Sequence, residues 1–239
     1  MRRVAFISDL HANLVALDAV LADIDALGVS DIVCLGDIVD LGPEPNALLD
    51  RLEQRKVRSI QGNHDPLDEH PHLRNLRAIE DWTRAQLGPE RLRELTELPT
   101  EIELDLDGVK VLCVHGSPRS DTDQILDVTP RQTLDAWIGE REFDVLVGGH
   151  THVQLLRRLD ERIIVNVGSV GMPFARPLFP GPGAGSPKIL PWCEYGIIGG
   201  KDGRASVELR QVPLDVEAYV ASVHAAGFPD PDDWAGYWL

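Results

Sequence analysis

The stretch VAFISDLHANL, residues 4–14, decides how the chain reads. Its apolar start belongs to a β-strand over residues 3–8. Leu14, Leu17, Leu21, Ile24 and Leu27 then follow with the 3.6-residue spacing of an amphipathic helix. Asn13 stands where a helix N-cap belongs and Gly28 where a helix stops. Between strand and helix lie Asp9 and His11, two ionisable groups where a plain turn would serve.

The strand-to-helix alternation continues outward from this stretch and marks βαβ units. DIVCLGD (31–37) reads as a strand, PNALLDRLEQR (45–55) as a helix and VRSIQ (57–61) as a third strand. Residues 72–98 read as two helices separated by LGPE, and EIELDLDGVKVLCVHG (101–116) as a hairpin turning on Asp107-Gly108. Thr129 as N-cap and Pro130 at the first helical position predict a helix over 130–140. FDVLVGGH (143–150) is another buried strand, followed by strand pairs about Asp160-Glu161 and Asp202-Gly203, so the second half is β-rich. Residues 173–193 hold six Pro and three Gly and read as a loop that shapes a substrate pocket. Residues 214–227 read as a closing helix, and the remaining tail to 239 gives no further reading.

A chain of 239 residues with 43% hydrophobic content can bury one large α/β core, and a single domain over 1–239 is expected. The formal charge of −16 argues against non-specific nucleic-acid binding, which depends on Lys and Arg neutralising phosphates. Cys34, Cys113 and Cys193 are odd in number and far apart, which fits buried thiols in a reducing compartment. No run approaches the ~20 apolar residues that span a bilayer. The first apolar run is broken by Asp9 too early for a signal segment. The expected location is the cytoplasm, with no membrane contact; oligomeric state is left open.

Singly, an Asp or His at a strand terminus is an ordinary turn former or cap. Here Asp9 and His11 close the first strand, Asp37 the second, and Asn63, His64 and Asp65 the third. His115 closes another and His150 and His152 a further one, so five of the eight histidines stand just after an apolar run. Open α/β sheets bind ligands beyond the carboxyl ends of their strands. Imidazole, carboxylate and amide oxygen together suit divalent Mn, Fe, Co, Ni or Zn. With no thiolate at these positions, a structural zinc cage fits poorly.

The blocks D-L-H (9–11), G-D (36–37), G-N-H-D (62–65), H-G (115–116) and G-H-T-H (149–152), in this order, resemble the calcineurin-like metallophosphoesterases. The resemblance runs from about residue 4 to NVGSVGMP (166–173). It implies an αββα sandwich of two packed mixed β-sheets flanked by helices. It also implies two divalent ions, manganese foremost, with Fe, Zn, Ni or Co as alternatives. Asp9, His11 and His152 would hold one ion, Asn63, His115 and His150 the other, and Asp37 would bridge them. At a strand end, a spacing of two also points Asp9 and His11 to one side. His150 and His152 share that spacing, and only the resemblance divides them. Ions ~3.5–4 Å apart turn a shared water into a hydroxide for in-line attack on phosphorus. By the same resemblance His64 donates a proton to the leaving oxygen, and Asp65 orients its imidazole.

The protein phosphatases of that family carry Arg in GDxVDRG and before GNHE, where this chain has Leu41 and Gln61. Without those guanidiniums, diesters and other small phosphorylated metabolites gain over dianionic monoesters. Monoester, protein phosphatase and dinucleoside polyphosphate activities are the enzymatic alternatives. Arg119 and Arg176 are candidates to replace the missing charge; each otherwise reads as a solvated arginine. Ser169 is a further candidate substrate contact, against a loop-shaping role for Gly168, Ser169 and Gly171. Asp40 reads as a strand-end acid in a turn. A scaffold of the same fold without catalysis, as in a vacuolar sorting subunit resembling this family, would have lost ligands or His64. Every motif position is filled here. A nuclease fits poorly with the acidic charge and the absence of basic runs.

Overall fold

The computed structural model describes residues 1–67, 76–177 and 188–239. Strand β1 (Arg2–Ile7), helix α1 (Leu14–Ala26), β2 (Ile32–Cys34), α2 (Pro45–Gln54) and β3 (Arg58–Ser59) form the first βαβαβ run. Asn13 caps α1 by accepting the Ala16 N–H at 3.0 Å, and Gly28 (φ 65°) ends it. The next helix, α3 (Arg77–Thr96), is broken at Gly88, whose φ of 69° and ψ of 175° are not helical. The two-helix reading of LGPE therefore holds within 77–96, and residues 72–75 lie outside the described residues.

Strands β4 (Glu101–Leu106) and β5 (Val109–Val114) make the hairpin on Asp107-Gly108. Helix α4 (Arg131–Ile138) follows, then β6 (Val145–Gly148), β7 (Leu155–Leu159) and β8 (Arg162–Asn166). The last elements are β9 (Trp192–Lys201), β10 (Arg204–Pro213), α5 (Val216–Ala225) and α6 (Pro231–Ala235).

The strands form two mixed five-stranded sheets, ordered β10-β9-β1-β2-β3 and β4-β5-β6-β8-β7. In the first, β1, β2 and β3 are parallel and β9 and β10 antiparallel; in the second, β5, β6 and β8 are parallel, edged by antiparallel β4 and β7. Alternation sorts each strand between two apolar layers. Val4 and Phe6 face the layer between the sheets with Val111, Cys113, Val145 and Val147. Ala5 and Ile7 face the layer beneath α1 and α2. Leu112, Val114 and Leu146 face outward onto Leu134 and Ile138 of α4. Helices therefore cover both outer faces, the αββα sandwich that the motifs imply. Each fully buried Leu, Ile or Phe adds about 1.5–3 kcal/mol, which makes the three layers the main source of stability. Parallel β1, β2 and β3 deliver their carboxyl ends to one rim, as do β5 and β6.

Three local expectations change. The α4 cap is Pro130 (φ −59°, ψ 145°), because the Thr129 hydroxyl is engaged by the Leu126 N–H at 2.8 Å and by Gln124 O. The loop expected over 173–193 is shorter: Phe174 bridges Ile189, Trp192 and Cys193 open β9, and 178–187 lie outside the described residues. The tail is ordered onto α5: Trp234 donates to the Tyr219 hydroxyl at 3.1 Å, and Trp238 lies 4.5 Å from its ring. All three cysteines are free and buried. Among the described residues no helix is long and apolar enough to cross a membrane.

Candidate metal centre

β1 stops at Ile7, so period-two alternation is not what brings Asp9 and His11 together. Both have left-handed backbone (φ 53° and 46°), as have Asp37 (52°), His150 (67°) and His152 (58°). Such conformations cost a non-glycine residue about 1–3 kcal/mol each and persist where the surroundings over-determine them. Main-chain bonds do so here: Asp9 N–H to Gly36 O at 3.0 Å, His11 N–H to Asp37 O at 3.0 Å, and Gly171 N–H to Asp9 O at 2.9 Å. Two glycines let the loops close in. A Cβ on Gly62 would collide with the Asp37 carboxylate, and one on Gly149 with Ser8 Oγ and Asp9.

The turned-in side chains converge in two groups that share Asp37. Donor atoms of Asp9, His11, Asp37 and His152 lie within 4.8 Å of one another, as do those of Asp37, His115 and His150. His11 Nε2 is 3.1 Å from His152 Nε2, and His152 Nε2 is 3.3 Å from Asp9 Oδ1. His115 Nε2 is 3.3 Å from Asp37 Oδ2 and 3.1 Å from Asn63 Oδ1. Donors bound at ~2.1 Å to one ion stand about 3.0–3.4 Å apart, so these separations fit shared cations. Among the described residues the buried Asp9 Oδ1 and His11 Nδ1 have no hydrogen-bond partner, a cost that an ion at Asp9 would relieve.

Two of the histidines have their tautomer fixed by the fold. His115 Nδ1 lies 2.7 Å from Leu35 O, and His152 Nδ1 lies 2.7 Å from Met172 O. A carbonyl only accepts, so each Nδ1 carries a proton and Nε2 is the nitrogen left to offer its lone pair to a cation in the cluster. Asp9, Asp37, Asp40 and Asp65 are at most 1% exposed. Among the described residues their side-chain partners are imidazoles and main-chain N–H groups, with no Lys or Arg. Buried carboxylates need a countercharge. Without a cation the imidazoles must supply it: burial lowers His115, but Asp37 and Asp9 outweigh it and raise it to about 10. Burial and neighbouring His152 take His11 down to about 3, and burial with His115 takes His150 to about 4.

The model of the calcineurin-like phosphoesterase superfamily domain matches residues 2–179. The chain belongs to that superfamily. A metallophosphoesterase from Sphaerobacter thermophilus is 30% identical in sequence, with 98% of each chain covered and a TM-score of 0.74. A hypothetical protein from Pyrococcus horikoshii OT3 shares the fold at 21% identity, covering 99% of this chain and 97% of its own, with a TM-score of 0.80. A protein of Methanocaldococcus jannaschii is 28% identical over 242 residues, spanning 98% of this chain and 95% of its own. The family is one of phosphoesterases and the Sphaerobacter relative is a metallophosphoesterase, which supports a phosphoric ester hydrolase.

Within this phosphoesterase the expected partner of His64 is corrected. His64 Nδ1 pairs with Asp40 Oδ2 at 2.8 Å, not with the adjacent Asp65. Asp65 instead accepts main-chain N–H bonds from Gly62 (2.7 Å), Asp37 (3.0 Å), Ile38 (2.7 Å) and Val39 (3.3 Å), clamping the Asp37 loop to the Asn63 turn. Burial, then Asp37, raises Asp65 to about 7. Burial lowers His64, but Asp37 and Asp40 outweigh it and raise it to about 9.

The expected substrate contact of Ser169 is also corrected: it is fully buried, donates to Asp9 O at 2.8 Å and accepts from Met172 N–H at 2.8 Å. Arg119 is paired with Asp123 and lies over the Trp137 ring at 5.1 Å, so its charge is spent on its own loop. Arg176 lies exposed beyond Phe174. Of the positions that differ from the protein phosphatases, Leu41 is buried and Gln61 Nε2 donates to Leu95 O at 3.0 Å. The sequence reading of Asp40 as a strand-end acid in a turn gave it no role at the site, although its position three residues after Asp37 in GDIVD was the available signal. Phe174 was also missed, and nothing in its local sequence marks it.

Proposed function

We propose that the chain hydrolyses small phosphoric esters, diesters in preference to monoesters, at a dinuclear centre of divalent ions, manganese foremost. The observation that carries this reading is the pair of buried donor groups joined at Asp37. Asp9, His11 and His152 would hold one ion and Asn63, His115 and His150 the other, with Asp37 between them. A donor set of nitrogen and oxygen without thiolate suits manganese, with Fe, Co, Ni and Zn as alternatives. When bound, such a pair activates a water for in-line attack on phosphorus and neutralises the phosphoryl oxygens.

The residues of the chain supply the rest. His64 Nδ1 pairs with Asp40 Oδ2 at 2.8 Å, and a carboxylate on one ring nitrogen favours the charged ring, the state an acid needs. Asp40 on Nδ1 fixes the ring so that Nε2 can deliver its proton to the leaving oxygen. Asp65 acts one step back, holding the loops that carry Asp37 and His64.

The diester preference rests on missing positive charge. Leu41 and Gln61 stand where the protein phosphatases have guanidiniums, and Arg119 is already paired. A dianionic monoester would have the ions and His64 but neither of those guanidiniums to neutralise it, whereas a monoanionic diester asks for less.

Turnover of bis(p-nitrophenyl) phosphate against p-nitrophenyl phosphate by the manganese-loaded protein tests the proposal. The expected result is a higher kcat/KM for the diester, abolished by chelation. A higher value for the monoester refutes the preference. No turnover of either, with two ions bound, favours the scaffold reading and refutes the hydrolase.

A further inference from the structure

We propose that Phe174 is a positioning residue for His152, setting the plane of that imidazole so that Nε2 aims into the cluster. The inference rests on the assignment of His152 to an ion. The Phe174 ring is stacked on the His152 ring, with centroids 4.4 Å apart and an interplanar angle of 17°. The same residue donates its N–H to His152 O at 2.9 Å, and two residues earlier Met172 O takes the His152 Nδ1 proton at 2.7 Å. His152 is thus gripped at its main chain, at one ring nitrogen and across one ring face by the three-residue segment 172–174.

The three contacts do different things. The main-chain bond places the Cα, and the Nδ1 bond selects the tautomer. The Nδ1 bond narrows the soft terminal torsion of histidine but leaves the ring plane room to rock about that bond. A flat aromatic neighbour at stacking distance fixes the plane. Phe174 is itself anchored: it bridges Ile189, Ala175 N–H donates to Lys188 O at 2.9 Å, and Leu190 N–H donates to Pro173 O at 2.9 Å. The stack therefore hangs a metal-ligating ring on a short two-stranded contact that leads into β9. The other described ring neighbour of His152, His11, is tilted by 35° at 4.9 Å and cannot serve the same purpose.

Imidazole NMR of the metal-free protein is the first test. The His152 ring protons should be shifted upfield by the stacked ring in wild type and lose that shift in Phe174→Leu; unshifted wild-type signals, or a shift that survives in the leucine variant, overturn the proposal. Manganese titration of wild type, Phe174→Leu and Phe174→Tyr is the second. Leucine should weaken one of two ions by about 10–100-fold and leave the other unchanged. Tyrosine, which keeps the ring, should restore wild-type binding. Equal binding by wild type and the leucine variant, or a tyrosine variant that behaves like leucine, overturns the proposal. A wild type that binds fewer than two ions refutes the dinuclear centre instead, and the NMR result still decides on Phe174.

Discussion

The two groups of donors differ in how they are enclosed. Asp9, His11 and His152 are 0, 1 and 6% exposed, and loop 167–174 closes on them from behind: Ser169 Oγ and Gly171 N–H both bond Asp9 O, and Met172 and Phe174 hold His152. In the other group His115 is buried with the shared Asp37, while Asn63 and His150 are half-buried. The groups are linked at Asp37 and by the His150 N–H, which donates to Asp9 Oδ2 at 3.0 Å. One side is a wall made by main chain from distant parts of the sequence; the other opens to the rim. On the proposed reading, a substrate would meet the Asn63–His150 side first, and the enclosed side would serve chiefly to hold its ion.

The strongest way to break this contrast is Asp37→Asn, because Asp37 belongs to both groups. Elemental analysis should find both ions lost together, and turnover should fall about 10³-fold or more, equivalent to about 4 kcal/mol of barrier. A full pair of ions in that variant would exclude the bridging role. His64→Ala should leave both groups intact. Two ions are retained while kcat falls about 10²–10⁴-fold, the range for losing a proton donor. Activity near wild type would remove His64 from the mechanism.

Asp40→Asn and Asp65→Asn sharpen the picture by separating orientation from architecture. Asp40→Asn should lower kcat about 10–100-fold with ions retained. Asp65→Asn should chiefly lower thermal stability, since an amide cannot accept all four main-chain N–H bonds and an unmade buried bond costs about 1–3 kcal/mol. The reverse pattern would restore Asp65 as the partner of His64.

Asp23→Asn lies outside both groups and gives the smallest effect. Arg210, and secondarily Tyr195, hold the Asp23 carboxyl below its ordinary value against the opposing effect of burial. A lowered carboxylate contributes stability above its unfolded value and loses it as pH falls through the folded one. Urea unfolding from pH 7 downward should therefore show wild type losing about 1 kcal/mol of its advantage over Asp23→Asn below about pH 4. An advantage independent of pH would mean that the pair does not set the titration.

How much of this was legible in the sequence differs from element to element. The strands and α1 were readable because period-two and 3.6-residue spacing survive in single segments. The site residues were readable as types, because ionisable groups immediately after apolar runs are conspicuous. The partner of His64 was not: Asp65 is its neighbour in sequence, but its carboxylate turns onto main-chain N–H groups while Asp40, 24 residues away, reaches the ring. Ser169 and Arg119 carry the chemistry of substrate contacts, yet their hydrogen-bonding capacity is spent locally, which only packing reveals. The ordered tail was missed because its two tryptophans find their partners on α5.

The sequence by itself determined which chemical groups stand at the ends of which strands, since that needs only local pattern and residue type. Tertiary structure alone decided which of those groups face one another. That depends on left-handed turns at Asp9, His11, Asp37, His150 and His152 and on how two sheets pack, and both are set by contacts between segments distant in the chain, from Asp9 to Gly36 and from Asp9 to His150. A donor shared by two clusters is a property of that packing, and no local stretch encodes it.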